Sequence, residues 1–539
     1  MTIGTSAQKL FARKATGIVR EVSPLQATIW NIANIMGSKF PWSVARLGLF
    51  PALLILGWPP YLWGVLLFGT ASYVLGLIYI QITSLMPRSG ADYVIPARLM
   101  GPFWGWISSW MIVWSFVPYW GWAAWVTVRN MKQLLDILNI AGMQGVSAPW
   151  VLNPPASVLI GSFAVILGAL LCFSRPKRYY KVVAVLGILS IFSLLLIAFA
   201  ATIVSQPMLA QNMRSLIGTS PNETVSTAVK HGFDPNGGLN FTGVAGMAGL
   251  ILYGTSGFQS SATISGDLRG NIKRNLTISI LGSLTFLMIF SLPFLWFILS
   301  QFNYNFVVAW SYLFWNASSA APLRLPPINA LLAVLAAPNL WPLWLIAGVA
   351  GIIGSWLSIP VSMMYINRLV LAWGVDRMIP ESVAEINYKF GQPMKLVAIE
   401  GALGVAFFLL TLLGFNPVIY LWWGTLLLFP SFVFPAICAL MLPKRRPELA
   451  KNVPWRRLLK PLAVLWLIII IPVYFFAGFI GSVPPLTPGL SLWQYAISTG
   501  LTVTAVTILA GGIVYWLVRS HNIKRGIDVN AIFGAIPPE

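Results

Sequence analysis

Long apolar segments alternate with short polar segments along almost the whole chain. Each apolar segment holds roughly 20 residues or more, the length that a helix needs to cross about 30 Å of hydrocarbon. The segments, numbered as spans 1 to 12, cover residues 25–48, 61–85, 103–128, 152–173, 182–206, 242–266, 276–300, 342–370, 395–414, 416–441, 461–481 and 492–518. The pattern therefore predicts an all-α membrane protein with about 12 transmembrane helices.

Composition agrees with this pattern. Of the 539 residues, 58% are hydrophobic and only 9% are charged, too few charges to cover the surface of a soluble protein. The net charge of +21 comes from 34 basic against 13 acidic residues. Most of the basic residues fall on one side when the N-terminus is inside, which predicts a cell-membrane protein with both termini cytoplasmic.

The basic clusters at residues 175–178 and 444–446 are short and separated by spans. They are typical of contacts with anionic lipid headgroups on the cytoplasmic face, and they make a nucleic-acid partner an unfavoured interpretation. The residues do not specify an oligomeric state.

Neither a metal site nor an enzyme site is indicated. Cys172 and Cys438 both lie inside predicted spans, whereas His231 and His521 stand apart in a loop and a tail. The sequence contains no phosphate-binding loop and no nucleophile or metalloprotease motif. We therefore expect no cofactor and no catalysis.

Spans 1 and 6 are interrupted by residues that disfavour a continuous helix. These are Met36, Gly37, Ser38 and Lys39 in span 1, and Tyr253, Gly254, Thr255, Ser256 and Gly257 in span 6. Interruptions at matching places in two halves of five spans point to a substrate site near the middle of the membrane. The alternative is that the glycines only let helices pack closely.

Three patches carry a family resemblance: residues 34–40 in span 1, residues 86–105 after span 2 and residues 367–393 after span 8. The first contains Asn34, Gly37, Ser38 and Phe40. In their order and spacing, the patches resemble the amino acid-polyamine-organocation transporter superfamily. The resemblance covers roughly residues 22–440.

The resemblance implies a core of two inverted repeats with five helices each, in which spans 1 and 6 are broken. The first repeat would cover residues 25–206 and the second residues 242–441, with two additional helices at 461–518 and cytoplasmic tails at 1–24 and 519–539. It further implies transport of an amino acid or amine by alternating access, in which uphill movement would use a Na⁺ or H⁺ gradient or exchange. Amides near Gly37, Ser38 and Lys39 would bind the substrate carboxylate, and carbonyls from Tyr253 to Ser256 its amino group.

Some positions depart from the family pattern. Lys39 replaces the usual glycine, where it would either attract an anionic group or extend to the outer surface. Gln259 replaces a frequent acidic residue near the site. These departures leave open a receptor or binding protein that does not transport. A channel is a weaker alternative because no rings of polar residues repeat along one pore.

Residues in spans 3 and 8 are further candidates for the substrate cavity and for an ion site. Trp110 and Trp114 share one face of span 3 and would either line the substrate cavity or pack against lipid and neighbouring helices. Ser355 and Ser358 in span 8 offer oxygens for a sodium ion, or they hydrogen-bond between helices. Span 5 contains no Lys or Arg, so a proton mechanism based on a lysine there, as in some relatives, is not supported.

The remaining candidate functional residues are acidic residues on the predicted cytoplasmic side. Glu400, well inside span 9, suggests a function by its depth, although its place in a peripheral span favours a structural ion pair or a neutral carboxyl. Asp92 with Arg88 and Arg98 forms one predicted charged cluster. Asp376 with Arg368 and Arg377 forms the other, and both clusters would either close an inner gate or anchor the surface.

Overall fold

A computed structural model describes residues 20–36, 69–143, 149–235, 256–289, 301–323, 329–414, 424–480, 502–527 and 529–534. Gly37, Ser38, Lys39, Tyr253, Gly254 and Thr255 lie outside the described residues. The division of the chain into two repeats therefore stays a prediction.

Within the described ranges, helices make up most of the chain, and β-type pairing is limited to two isolated bridges, Val22 with Leu268 and Asn387 with Gln392. The helices are α1 (Pro24–Met36), α2 (Thr70–Thr83), α3 (Ala91–Leu99), α4 (Pro102–Ile140), α5 (Pro154–Cys172), α6 (Pro176–Thr202), α7 (Gln206–Ile217), α8 (Pro221–Lys230), α9 (Ser260–Thr263), α10 (Ile272–Ile289, with a π-helical turn at Thr277–Leu281), α11 (Tyr304–Asn316), α12 (Asn329–Ala336), α13 (Trp341–Val375), α14 (Glu381–Ala384), α15 (Met394–Leu412), α16 (Gly424–Arg445), α17 (Pro447–Ala450), α18 (Arg456–Ile480), α19 (Thr502–Lys524) and α20 (Val529–Gly534). Short 3₁₀ turns cover Pro149–Leu152, Ser265–Asp267 and Pro338–Leu340.

Several of these helices have the length and hydropathy of membrane spans. In the part of the chain that the structure describes, five do so: Pro154–Cys172, Ile272–Ile289, Pro338–Val375, Met394–Leu412 and Thr502–Lys524. These helices overlap predicted spans 4, 7, 8, 9 and 12, and the bounds agree closely for spans 4 and 9. The chain is thus an all-helical, multi-pass membrane protein, and the prediction of about 12 spans extends beyond what these five helices establish.

Helix α4 is longer than span 3, which was predicted to end at residue 128. It continues to Ile140, because charged side chains that end the apolar run still support a helix. Arg129 lies over the ring of Trp125 at 4.6 Å, and Lys132 forms an ion pair with Asp136 one turn further on. Such pairs at a spacing of four residues stabilise a helix.

The core is organised around α4, which packs against α13, α15, α16 and α19. Glycines allow the closest approaches. A methyl group at Gly121 of α4 would overlap the backbone of Phe407 and Phe408 in α15, and one at Gly404 of α15 would meet Val165 of α5 at 2.8 Å. Small residues at such crossings are how membrane helices gain packing contacts without a hydrophobic driving force.

We expect Gly121→Ala to separate α4 from α15 and to destabilise the protein by roughly 1–3 kcal/mol, the usual cost of overpacking. The measurement is the thermal unfolding midpoint of the purified protein in detergent. Gly351→Ala is the matched control, because a methyl group at Gly351 of α13 meets no atom within 4 Å among the described residues. Equal midpoints for the two variants would contradict the assigned crossing.

Candidate functional site

Asn31 of α1 joins three separate segments of the chain through its buried amide. Its Nδ2 donates to the Phe258 carbonyl at 2.6 Å and to the Ser279 carbonyl at 3.1 Å. Its Oδ1 accepts from the backbone N–H of Ser261 at 2.9 Å. Because buried backbone groups need partners, this one side chain holds α1, residues 258–261 and α10 together.

The segment from Ser256 to Gln259 forms turns, although it belongs to predicted span 6. Gly257 has φ of +117°, which only glycine adopts easily. A Cβ atom there would also lie 3.0 Å from Cγ of Asn34. Gln259 stabilises the turn by accepting the Gly257 N–H through its Oε1 at 3.0 Å.

One turn of α1 beyond Asn31, Asn34 makes the second connection. Its Nδ2 donates to Oγ of Ser260 at 2.7 Å, so the last turns of α1 lie directly against residues 257–261. Met36, which was predicted to belong to the substrate site, is the last described residue of α1. The structure therefore brings the described ends of the two predicted interruptions together around Asn31 and Asn34.

Trp110 and Trp114, which were predicted either to line the substrate cavity or to pack, contact α19 and other tryptophans. Nε1 of Trp110 donates to the Thr507 carbonyl of α19 at 3.0 Å, and its ring stacks on Trp106 with centroids 5.4 Å apart. Trp114 packs edge-on against Trp110 and is 38% exposed. The packing interpretation accounts for all these contacts, and a place in the substrate cavity stays a prediction for both residues.

The two serines of the predicted sodium site are fully buried. Oγ of Ser355 donates to the Gly351 carbonyl at 3.2 Å and accepts from Nδ2 of Asn130 at 2.9 Å. Oγ of Ser358 donates to the Ser355 carbonyl at 2.7 Å. The Asn130–Ser355 bond joins α4 to α13, as the helix-to-helix interpretation expects, whereas the other two bonds lie within α13. Sodium binding stays a prediction.

On the predicted cytoplasmic side, the carboxylate of Asp92 in α3 accepts hydrogen bonds from hydroxyl groups of three other segments. Tyr79 of α2 donates at 2.5 Å, Tyr365 of α13 donates at 2.7 Å, and Thr263 of α9 also donates to its carboxylate. All four side chains are buried. Hydrogen bonds to a buried carboxylate are worth more than those between neutral groups, so this cluster fastens α2, α3, α9 and α13 to one another.

The ion pairs correct the predicted charged clusters. Arg98, expected beside Asp92, binds Asp376 with its two Nη atoms at 2.5 and 2.8 Å. Arg368, expected beside Asp376, instead binds Asp267 through Nε at 3.0 Å. Both pairs are buried. The predicted partners were wrong because closeness in sequence does not determine which helices meet.

Arg377 also has a partner different from the predicted one, since it pairs with Glu381 at 3.1 Å on the surface.

Sequence reasoning missed Asn31 and Asp267 altogether. A polar residue three positions before Asn34 and an acidic residue directly after span 6 were the available signals.

Together these observations describe a polytopic helical membrane protein with buried polar clusters where α1, residues 256–268 and α13 meet. A family model described as amino acid permease matches residues 25–510. The chain belongs to the amino acid permease family. Comparison with curated proteins gives no match.

Membership confirms the predicted resemblance. Amino acid permeases are transporters of amino acids or amines and not enzymes, so the chain acts on a small-molecule substrate without converting it.

Proposed function

We propose that this protein is a secondary transporter that moves an amino acid or related amine by alternating access. The observation that carries the proposal is the junction of α1 with residues 256–261, where Asn31 and Asn34 hold an irregular turn against a helix end. Irregular backbone at membrane depth is tolerated where protein or a cavity satisfies it. Such junctions are where transporters of this kind bind substrate.

In this proposal the substrate lies between the two interruptions. Amides of Gly37, Ser38 and Lys39 bind the carboxylate, because the start of a half-helix presents free N–H groups and a positive dipole end. Carbonyls from Tyr253 to Ser256 bind the amino group. Asn31 and Asn34 act as positioning residues that keep the two segments at a fixed separation.

The buried clusters on the predicted cytoplasmic side form the closed inner gate in this proposal. Asp92 fastens α9 to α2, α3 and α13, and the Arg368–Asp267 pair fastens the segment after α9 to α13. Release of substrate to the cytoplasm requires these contacts to separate. Two ion pairs of the gate are fully buried, so loss of one partner from either pair would leave an unpaired buried charge.

The test is uptake and exchange of radiolabelled amino acids and amines by the purified protein in liposomes. We expect at least one compound in a broad panel to exchange faster than in protein-free liposomes, and the flux to saturate with concentration. A channel would give flux that rises linearly. No substrate-dependent flux across the panel would contradict the proposal.

Lys39→Gly separates transport from simple binding. A transporter shows altered flux in this variant, because Lys39 lies among the proposed carboxylate-binding amides. A receptor shows altered affinity, measured by the rise in thermal midpoint with ligand, and no flux in either form.

A further inference from the structure

Glu400 is a buried carboxyl group on α15 that the proposed transport site does not use. Its side chain is 2% exposed, and among the described residues neither of its oxygens accepts a hydrogen bond. Asn367 lies next to it, and Arg368 lies within electrostatic range. A buried carboxyl group is costly to ionise when the neutral amide of Asn367 is the donor beside it, because the charged form loses its hydration.

Among the described residues, Arg368 is the cation within electrostatic range of Glu400, and it already has a partner. From α13, Arg368 binds Asp267, whose Oδ2 also accepts from the Tyr180 hydroxyl of α6 at 2.9 Å. From α5, the buried thiol of Cys172 lies within electrostatic range of Glu400. From α4, the face against α15 carries Trp120 and Gly121, and on α14 the exposed carboxylate of Glu381 pairs with Arg377.

The cluster also has unused hydrogen-bonding capacity. Several fully buried polar atoms have no hydrogen-bond partner among the described residues: Nδ2 of Asn367, Nη2 of Arg368, Nε2 of Gln392, Oδ1 of Asp267 and both carboxyl oxygens of Glu400. Arg368 therefore keeps a free N–H group while it is bound to Asp267. If Asp267 withdrew, that guanidinium would need another anion, since an unpaired buried charge is strongly destabilising.

The cluster is divided between two sets of helices. Asp267 follows the segment that Asn31 and Asn34 bind to α1, and the backbone of Val22 bonds to that of Asp267 at 2.9 Å. Arg368 and Glu400 belong to α13 and α15, which both pack against α4 and α5; α13 also packs against α1 and α6. A movement of α1 with residues 256–268 would thus carry Asp267 away from Arg368 and leave Glu400 beside it.

From this geometry we propose that Glu400 is a proton-binding site, occupied while Asp267 holds Arg368 and emptied when that pair separates. In the closed state Glu400 is a neutral acid. When Asp267 withdraws, the O–H bond of Glu400 breaks, the proton passes to cytoplasmic water, and the carboxylate pairs with Arg368. Proton binding therefore favours the closed inner gate, and rising pH favours its opening.

The role in transport rests on the proposed function, but the site itself is tested without a substrate. The infrared spectrum of purified protein is recorded over a pH series, and the carbonyl stretching band of a protonated carboxyl group is compared with that of Glu400→Gln. We expect the wild-type protein to show a band that this variant lacks. We also expect Asp267→Asn, which frees Arg368, to lose that band at neutral pH.

Coupling is then measured in liposomes with a pH-sensitive dye inside, using the compound that exchanges fastest in the panel above. We expect proton movement to accompany net uptake in the wild type and to fall to the protein-free level in Glu400→Gln, while exchange continues. Glu400→Asp should retain proton movement. Glu385→Gln is the matched control, because Glu385 is exposed after α14 and should leave the band and proton movement unchanged.

The outcomes separate the two proposals. A wild-type spectrum without the Glu400 band, a band that persists in Asp267→Asn, or undiminished proton movement in Glu400→Gln would each overturn the proton site. Wild-type uptake without proton movement would overturn it as well, even if Glu400→Gln failed to fold. The infrared band of Glu400 could be present and be lost in Asp267→Asn while no compound shows flux. That result would contradict the transport function and leave the proton site supported.

Discussion

Replacement of Asp376 by Asn should destabilise the protein by about 3–5 kcal/mol, because Arg98 would keep its charge in a buried position without its carboxylate. Both side chains of this pair are at most 1% exposed, and Arg98 binds Asp376 through both Nη atoms. The pair connects α3 to the end of α13. Its loss should lower the thermal unfolding midpoint in detergent.

Two further variants test whether the lost stability comes from the unpaired buried charge of Arg98. Glu381→Gln breaks the exposed Arg377–Glu381 pair and should cost no more than about 1 kcal/mol, since solvent screens exposed pairs. The double variant Arg98→Met with Asp376→Leu removes both charges and should recover much of the stability. If Asp376→Asn were as stable as Glu381→Gln, the buried pair would not have the role assigned to it.

Replacement of Asn31 by Leu should abolish transport and also destabilise the protein. The change leaves the Phe258 and Ser279 carbonyls and the Ser261 N–H without the partner they have now. Each unsatisfied buried group costs about 1–3 kcal/mol, so the total should exceed about 3 kcal/mol. The residues next to Gly257 would lose their fixed position against α1.

Amino acid exchange in liposomes, together with the thermal midpoint, measures both effects. Asn222→Leu is the matched control because Asn222 is exposed on α8, and it should exchange substrate at the wild-type rate. Asn34→Leu removes one hydrogen bond, that to Ser260, and should have an intermediate effect. Wild-type exchange by Asn31→Leu would mean that the junction of α1 with residues 258–261 does not position the substrate site.

Much of the helical organisation could be predicted from hydrophobicity alone. Span 4 was predicted at 152–173 and α5 covers Pro154–Cys172, while span 9 was predicted at 395–414 and α15 covers Met394–Leu412. The reason is that lipid offers no partner to a free peptide group, so an apolar segment of membrane length must form a helix. Where polar residues follow, as after residue 128 in α4, the apolar run ends before the helix does.

The candidate site was predictable in outline and not in its contacts. The glycines of span 6 indicated irregular backbone, and Gly257 does have a conformation that disfavours other residues. Asn31 was not predicted, because its spacing from Asn34 does not reveal a partner 230 positions away. The same holds for Trp110, whose contact with α19 depends on how α4 is rotated about its axis.

The sequence by itself determined that this chain lies in a membrane, that it is helical, and which family it resembles. Those properties depend on local composition and on short motifs, and each segment carries them independently of the rest. Only the tertiary structure decided that Arg98 binds Asp376, 278 positions away, that Arg368 binds Asp267, and that Glu400 is left without a donor in the described part of the chain. The partner of a buried charge depends on which helix faces meet, since electrostatic energy depends on distance in space and not along the chain.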